Sequence, residues 1–210
     1  MKTLICIPCM DSVPAQFAQS LATLNKVGDC AVAFEIGSLI YNSRNDLAMR
    51  SIQAGTDYTL WFDSDMLFEP DTFKKLYASM EKTGADIVSG LYFRRVPPYT
   101  PVMFSKLEFE DDGVVFENPE DYGNDPFELD AVGFGCVLMK TEVLLSVAMK
   151  HGNLFAPVHG VGEDLSFCWR AKDCGYKIVV DPSIKLGHVG HYVVTEEMYN
   201  VYRKEKHGNT

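Results

Sequence analysis

The sequence predicts an α/β fold in which helices cover a mostly parallel central sheet. Between residues 3 and 93, apolar runs of strand length alternate four times with segments of helical spacing. Strands that alternate with helices in this way pair in parallel, because each helix returns the chain to the same edge of the sheet. The length of 210 residues suits one domain with a small appendage.

The first half of the chain supplies the repeating units. Phe17, Leu21 and Leu24 recur at i, i+4 and i+7, which is typical of an amphipathic helix. A glycine at position 28, 55 or 84 ends each predicted helix. The predicted strands are 3–9, 30–36, 58–62 and 86–93, and the helices between them run to those glycines from Pro14, Leu47 and Pro70.

The second half is less regular. Residues 106–117 indicate a β-hairpin with Asp112 and Gly113 at its turn, inside an insertion that spans 94–130. A further strand is expected at 129–140, with Thr141 as the cap of the next helix. A helix over 162–176 and one or two short strands follow. We therefore predict one domain over 1–193, and a polar tail or helix over 194–210.

Composition excludes several classes of function. The formal net charge of −10 disfavours nucleic acid as a partner and docking to an anionic membrane. No apolar run has the 18 or so residues needed to span a bilayer, and the N-terminus does not resemble a secretion signal. We expect a cytoplasmic protein. The six cysteines, including the pair Cys6 and Cys9, are expected to be free thiols, because no second pair at zinc spacing exists.

Two acids follow the third predicted strand. Asp63 and Asp65 flank Ser64, so an extended backbone would point both carboxylates to one side. Two such oxygen donors form part of a site for Mg²⁺ or Mn²⁺. In parallel sheets, ligands bind beyond the carboxyl ends of the strands, where this segment lies. The alternative is a loop in which the aspartates bond the local backbone.

Other candidate residues each have a structural alternative. Arg44 precedes a predicted helix and could bind phosphate with the helix N-terminus, or lie in solvent. Glu163 and Asp164 could supply a general base, or stabilise a helix dipole. His188 could complete a metal site or be structural, and His191 is the rival candidate.

The order of these segments resembles the GT-A glycosyltransferases, especially family 2-like members. The resemblance runs from about Thr3 to His191 and is carried by "NSRNDLAMRSIQAGTDYTLWFDSDM", "DAVGFGCVLMK" and "GEDLSFCWRAKDCGYKIVVDPSIKLGHVG". It implies that Mn²⁺ or Mg²⁺ is held by Asp63, Asp65 and His188, with Asp65 the direct ligand. It implies a catalytic pair in Glu163 and Asp164, with Asp164 the base of an inverting enzyme. The implied nucleotide contacts are Pro8, Asp11, Glu35, Arg44, Asp63 and Ser64.

The resemblance also implies a wall beneath the sugar and acceptor, where Gly133 and Gly135 permit close approach. The 94–130 insertion matches no part of the pattern, so we expect it to govern the choice of acceptor.

The implied function is transfer of a sugar from a nucleoside-diphosphate sugar, such as a UDP- or GDP-sugar, to a glycan or another hydroxyl acceptor. A retaining enzyme remains open, because similar patterns occur in retaining families. A nucleotidyltransferase is disfavoured, because "CIPCMDSVP" lacks the glycine-rich, basic loop such enzymes carry after the first strand. A non-catalytic domain that binds sugar nucleotides is disfavoured by the intact set of Asp63, Asp65, Asp164 and His188.

Overall fold

A seven-stranded sheet forms the centre of the computed structural model, which describes residues 1–37, 39–110, 113–190 and 193–207. In chain order the elements are β1 (Lys2–Cys9), α1 (Ala15–Thr23), β2 (Asp29–Ile36), α2 (Ile40–Gln53), β3 (Tyr58–Phe62), β4 (Met66–Leu67), α3 (Thr72–Thr83), β5 (Ile87–Leu91), β6 (Met103–Phe104), β7 (Lys106–Glu110), β8 (Gly113–Glu117), β9 (Phe127–Leu129), β10 (Ala131–Val132), β11 (Cys136–Lys140), α4 (Thr141–His151), α5 (Glu163–Asp173), β12 (Ile178–Lys185), β13 (Gly187–Val189), β14 (Val193–Val194) and α6 (Glu196–His207).

The strand order in the sheet is β2-β1-β3-β11-β5-β12-β9. β1 pairs in parallel with β2 and β3, and β5 pairs in parallel with β12. β11 lies antiparallel between β3 and β5, and β9 lies antiparallel at the edge beside β12. Five of the seven strands of this sheet therefore run in one direction, and the predicted α/β fold with a mostly parallel sheet is confirmed.

Helices cover both faces of the sheet because successive strand side chains point to opposite sides. On β1, Leu4 and Cys6 join a core with residues of α2, α4 and α5. Ile5 and Ile7 join a second core with residues of α1 and α3. Burial on both faces explains why the strand sequences are apolar throughout. The six cysteines are free thiols, of which four are buried and two, Cys30 and Cys174, are only partly buried.

Several predicted boundaries were wrong. α2 begins at Ile40, seven residues before the predicted start at Leu47, because the polar segment before Leu47 is already helical. The strand predicted over 129–140 is interrupted at 133–135, so that β10 and β11 belong to different sheets. Thr141 is the first residue of α4 rather than its cap, and its hydroxyl lies 3.0 Å from that of Thr56.

The predicted hairpin and tail helix are both present. β7 and β8 pair antiparallel over 106–110 and 113–117, and Asp112 of the predicted turn lies outside the described residues. In α6, Tyr199 stacks on Phe93 with ring centroids 5.0 Å apart, and Arg203 bonds Asp121 at 3.1 Å. The tail thus packs against the insertion. In the described part of the chain, no helix has the length and apolar character to cross a membrane.

The glycines at 133 and 135 make room for a tyrosine. Tyr92 is 5% exposed, and its hydroxyl accepts a hydrogen bond from the backbone N–H of Gly135 at 3.0 Å. A Cβ at Gly135 would lie 2.7 Å from Cζ of Tyr92 and 3.1 Å from Sδ of Met66. A Cβ at Gly133 would also collide with the Tyr92 hydroxyl. The ring of Tyr92 fills the space beside these glycines in which the sequence led us to expect a substrate.

We predict that Gly135→Ala destabilises the fold by about 1–3 kcal/mol, because the added methyl group overpacks a buried contact. Gly123→Ala is the control, since its added methyl group meets no atom within 4 Å. Its effect should stay within about 0.5 kcal/mol. Denaturant unfolding measures both variants, and equal losses would show that Tyr92 does not constrain Gly135.

Candidate active site

A cavity of about 340 Å³ lies at the carboxyl ends of the parallel strands. Its volume falls in the range of small-molecule sites, roughly 300–1,000 Å³. Pro8, at the end of β1, forms one part of the wall. The predicted site residues that line it are Pro8, Arg44, Asp63, Ser64, Asp65, Glu163, Asp164 and His188. The fold therefore gathers residues from five separate segments of the chain.

Arg44 lies at the centre of this group. Its side chain is buried, its Nη2 donates to Oδ1 of Asp63 at 2.7 Å, and its Nε donates to Oε1 of Glu163 at 3.1 Å. The guanidinium carbon also lies 5.1 Å from the ring centroid of Phe134, within cation–π range. Arg44 thereby ties the middle of α2 to the end of β3 and the start of α5.

The predicted surroundings of Arg44 were wrong. It lies inside α2 rather than before a helix N-terminus, and it is 2% exposed rather than solvated. The reason is that Asp63 and Glu163 offer it two carboxylates, which together offset the cost of burying its charge.

Asp63, Ser64 and Asp65 form a turn, not the predicted extended segment. The N–H of Met66 donates to the carbonyl of Asp63 at 3.1 Å, which closes the turn. The two carboxylates consequently have different partners. Asp63 bonds Arg44, whereas Oδ2 of Asp65 lies 2.9 Å from Nη1 of Arg95 and 3.5 Å from Nε2 of His188.

The position of His188 follows from strand pairing. β13 pairs antiparallel with β4, which places His188 opposite Met66, the residue after Asp65. Nδ1 of His188 lies 2.8 Å from the carbonyl oxygen of Phe93. Because a carbonyl can only accept, Nδ1 carries a proton, and Nε2 is the ring atom directed to Asp65. His191 lies outside the described residues.

Three His, Cys, Asp or Glu side chains do not converge on one point anywhere in the described ranges. Asp65 and His188 form a pair, but the ion pair with Arg44 turns Asp63 away from them. The three-residue metal site implied by the sequence is therefore not assembled in this arrangement of side chains.

Asp164 has an unusual electrostatic environment. Burial raises the pKa of its carboxyl to about 6, and the charge of Glu163 adds to that effect, while Arg44 opposes it. Oδ1 accepts a hydrogen bond from the N–H of Leu165 at 2.8 Å in the first turn of α5. The pKa of Asp65, by contrast, is lowered. Burial by itself would raise this pKa, but the hydrogen bond from His188 and the charge of Arg95 outweigh it.

Two predicted nucleotide contacts do not line the cavity. Glu35 forms an ion pair with Arg50, because β2 is the edge strand and its end faces α2. Asp11 is exposed and accepts a hydrogen bond from the hydroxyl of Ser12 at 3.1 Å.

Sequence reasoning missed two residues that contact the site. Arg95 pairs with Asp65. In the sequence, the only feature that could have drawn attention to Arg95 is the "RR" before the proline-rich segment. Tyr92 lies 5.8 Å from His188 between ring centroids, and no local pattern distinguished it from an ordinary strand residue.

Comparisons with known proteins agree on the fold. Residues 51–144 match the model described as glycosyl transferase family 2. A protein from STIV, A197, shares 18% identity at a TM-score of 0.65, over 94% of this chain and 92% of that one. GalNAc-T7, solved with UDP, GalNAc and Mn²⁺, shares 11% identity at a TM-score of 0.60, over 90% of this chain and 43% of that one. A search of curated proteins gave no significant match.

We predict that Arg44→Met destabilises the fold by about 2–3 kcal/mol, because it leaves two partly buried carboxylates without a cation. Arg50→Met is a matched control on the same helix. Arg50 is half-exposed and pairs with one carboxylate, so its loss should cost under about 1 kcal/mol. Denaturant unfolding compares the two variants, and a similar loss in both would contradict a central role for Arg44.

The strand order and these comparisons agree on the fold. The chain as a whole has the GT-A fold, and residues 51–144 within it match glycosyl transferase family 2.

Proposed function

We propose that this protein is a metal-dependent, inverting glycosyltransferase that moves a sugar from a nucleoside-diphosphate sugar to an acceptor hydroxyl. The proposal rests on one observation, that a single cavity of about 340 Å³ brings the candidate residues together. Asp63, Asp65 and His188, which are metal-ligand types, line it together with Asp164, a carboxyl suited to act as a base.

Two of the three implied ligands, Asp65 and His188, support a divalent cation. Asp65 and Nε2 of His188 lie 3.5 Å apart, close to the roughly 3 Å between neighbouring ligands of an octahedral ion with bonds of about 2.1 Å. The carbonyl of Phe93 orients the imidazole, as is usual for a histidine ligand. Nδ1 faces the carbonyl of Phe93, so Nε2 is the ring atom that would bind a cation beside Asp65. Asp65 and His188 would hold Mn²⁺ or Mg²⁺, with Asp63 available if it leaves Arg44.

A divalent cation bound there would neutralise the charge that develops on the departing diphosphate. Arg95, half-exposed beside Asp65, would donate to the diphosphate as well. Pro8 and Ser64 line the cavity and are the proposed contacts of the nucleotide. Asp164 takes the proton from the acceptor hydroxyl, whose oxygen attacks the anomeric carbon. The donor would be a UDP- or GDP-sugar.

The raised pKa of Asp164 suits this role. A base with a pKa of about 6 is ionised at neutral pH and still binds a proton more strongly than an ordinary aspartate. Glu163 is paired with Arg44 and would keep the start of α5 in place. Its negative charge also helps to raise the pKa of Asp164. Its proposed contribution is thus to position and tune Asp164.

We predict that UDP or GDP raises the melting temperature when Mn²⁺ is present and that EDTA removes this effect. Asp65→Ala should weaken Mn²⁺-dependent nucleotide binding at least about tenfold in calorimetry, because it removes a metal ligand. Asp71→Ala is the control, since Asp71 is half-exposed and pairs only with Lys75 among the described residues. Nucleotide binding that is insensitive to both EDTA and Asp65→Ala would overturn the metal assignment.

We predict opposite effects of Asp164→Asn on activity and stability. Transfer should fall about 10²–10⁴-fold, and the wild-type rate should rise with pH through about 6, as the base ionises. Nucleotide affinity should stay within about twofold. Because folding raises this pKa, the ionised carboxyl destabilises the native state as pH rises from about 4 to 6. The variant should therefore be about 1–3 kcal/mol more stable than wild type above pH 6, and equal to it near pH 4.

Asp173→Asn, at the other end of α5, is the matched control for Asp164→Asn. Asp173 pairs with Lys150 and His151, which lower its pKa, so its loss should not stabilise the protein. Full transfer activity in Asp164→Asn would exclude Asp164 as the base.

A further inference from the structure

A second cavity, of about 550 Å³, lies beside the candidate active site. Asp164 is the one described residue that lines both cavities. If the first cavity holds the donor, the second is available to an acceptor hydroxyl beside the same base. The residues around the second cavity would then influence which acceptors fit.

One wall of the second cavity comes from the hairpin β7–β8. Phe116 is 49% exposed, and its ring meets the buried Phe104 edge-on with centroids 5.7 Å apart. The hairpin is held in place, because Phe109 packs on Trp169 of α5 with ring centroids 5.0 Å apart and the N–H of Leu107 donates to Asp130 at 3.1 Å. Phe116 thus presents a half-exposed aromatic face on a fixed support.

A tight turn at residues 158–161 forms another part of the lining, and the ring of His159 lies 5.7 Å from that of Phe109 between centroids. His159 and Gly160 both have positive φ, at 49° and 78°, and the N–H of Val161 donates to the carbonyl of Val158 at 2.9 Å. A left-handed conformation is unfavourable for histidine and needs support from its surroundings. The turn leaves His159 exposed at the cavity.

Ser166 supplies that support. Its hydroxyl oxygen accepts from the N–H of Val158 at 3.0 Å and lies 3.3 Å from the carbonyl of Val161, so one buried side chain holds both ends of the turn. Ser166 is in the first turn of α5, two residues after Asp164. The base and His159 therefore lie on one rigid unit.

We propose that the second cavity binds the acceptor as a sugar residue, with a ring face against Phe116 and hydroxyls directed to His159 and Asp164. A sugar ring has an apolar C–H face and a polar rim, which matches one exposed aromatic wall and a polar turn. A peptide would instead pair along a strand edge that β7–β8 leaves unpaired among the described strands, and the peptide arm of the test below distinguishes the two acceptors. This assignment rests on the proposed glycosyl transfer.

The proposed transfer uses Asp164 as its one proton acceptor. The hydroxyl proton of the acceptor moves to the carboxylate of Asp164 as its oxygen bonds the anomeric carbon of the donor. The bond from that carbon to the diphosphate oxygen breaks, and its electron pair leaves with the nucleoside diphosphate.

The test measures binding of methyl α- and β-glycosides of glucose, galactose and mannose by saturation-transfer difference NMR, with and without Mn²⁺ and UDP or GDP. At least one glycoside should bind, with the strongest transfer to its ring C–H protons. Phe116→Leu should weaken that binding roughly 3–10-fold, because it keeps an apolar side chain but removes the aromatic face. Phe116→Trp should retain it.

Leu145→Ala is the matched control, because Leu145 is 47% exposed on α4 and lines neither cavity. Thermal melts verify that each variant is folded. The inference is overturned if the protein binds a nucleotide but no glycoside, if Phe116→Leu and Leu145→Ala behave alike, or if a Ser/Thr peptide binds in its place. Glycoside binding without any nucleotide binding would support the sugar site and refute the proposed transfer.

Discussion

The buried guanidinium of Arg44 is the interaction on which the candidate site depends. It bonds Asp63 at the end of β3 and Glu163 at the start of α5, and it lies against the ring of Phe134. Without a cation between them, two partly buried carboxylates would repel each other and would each lack their partner. One side chain therefore holds together the turn at Asp63–Asp65 and the start of α5, which carries the candidate base.

This arrangement gives neighbouring acids different environments. Asp63 and Glu163 are both paired with Arg44. Asp65 lies beside His188, and the pKa of Asp164 is raised to about 6. Environments that separate the properties of nearby carboxyls allow one site to hold both a metal ligand and a base. The second cavity then extends the site on the far side of Asp164, where the hairpin insertion lies.

Much of the site could be predicted because its residues lie where elements begin or end. Asp63 and Asp65 follow an apolar strand and Asp164 lies in the first turn of a helix, so local pattern made them candidates and the resemblance to GT-A glycosyltransferases gave them roles. Glu35, which only the resemblance nominated, shows the limit of that reasoning. It also ends a parallel strand, but β2 lies at the sheet edge and Glu35 pairs with Arg50 outside the cavity. Local pattern does not reveal the order of strands in a sheet.

The sequence by itself determined the α/β class, the main strands and helices, and the candidate acids, because these depend on periodicity and on residues near in the chain. Only the tertiary structure decided the burial of Arg44, the pairing of Asp65 with Arg95, and the position of Phe116 near Asp164. Each of these joins residues that are distant in sequence. Their contacts arise from how the elements pack, which no local pattern encodes.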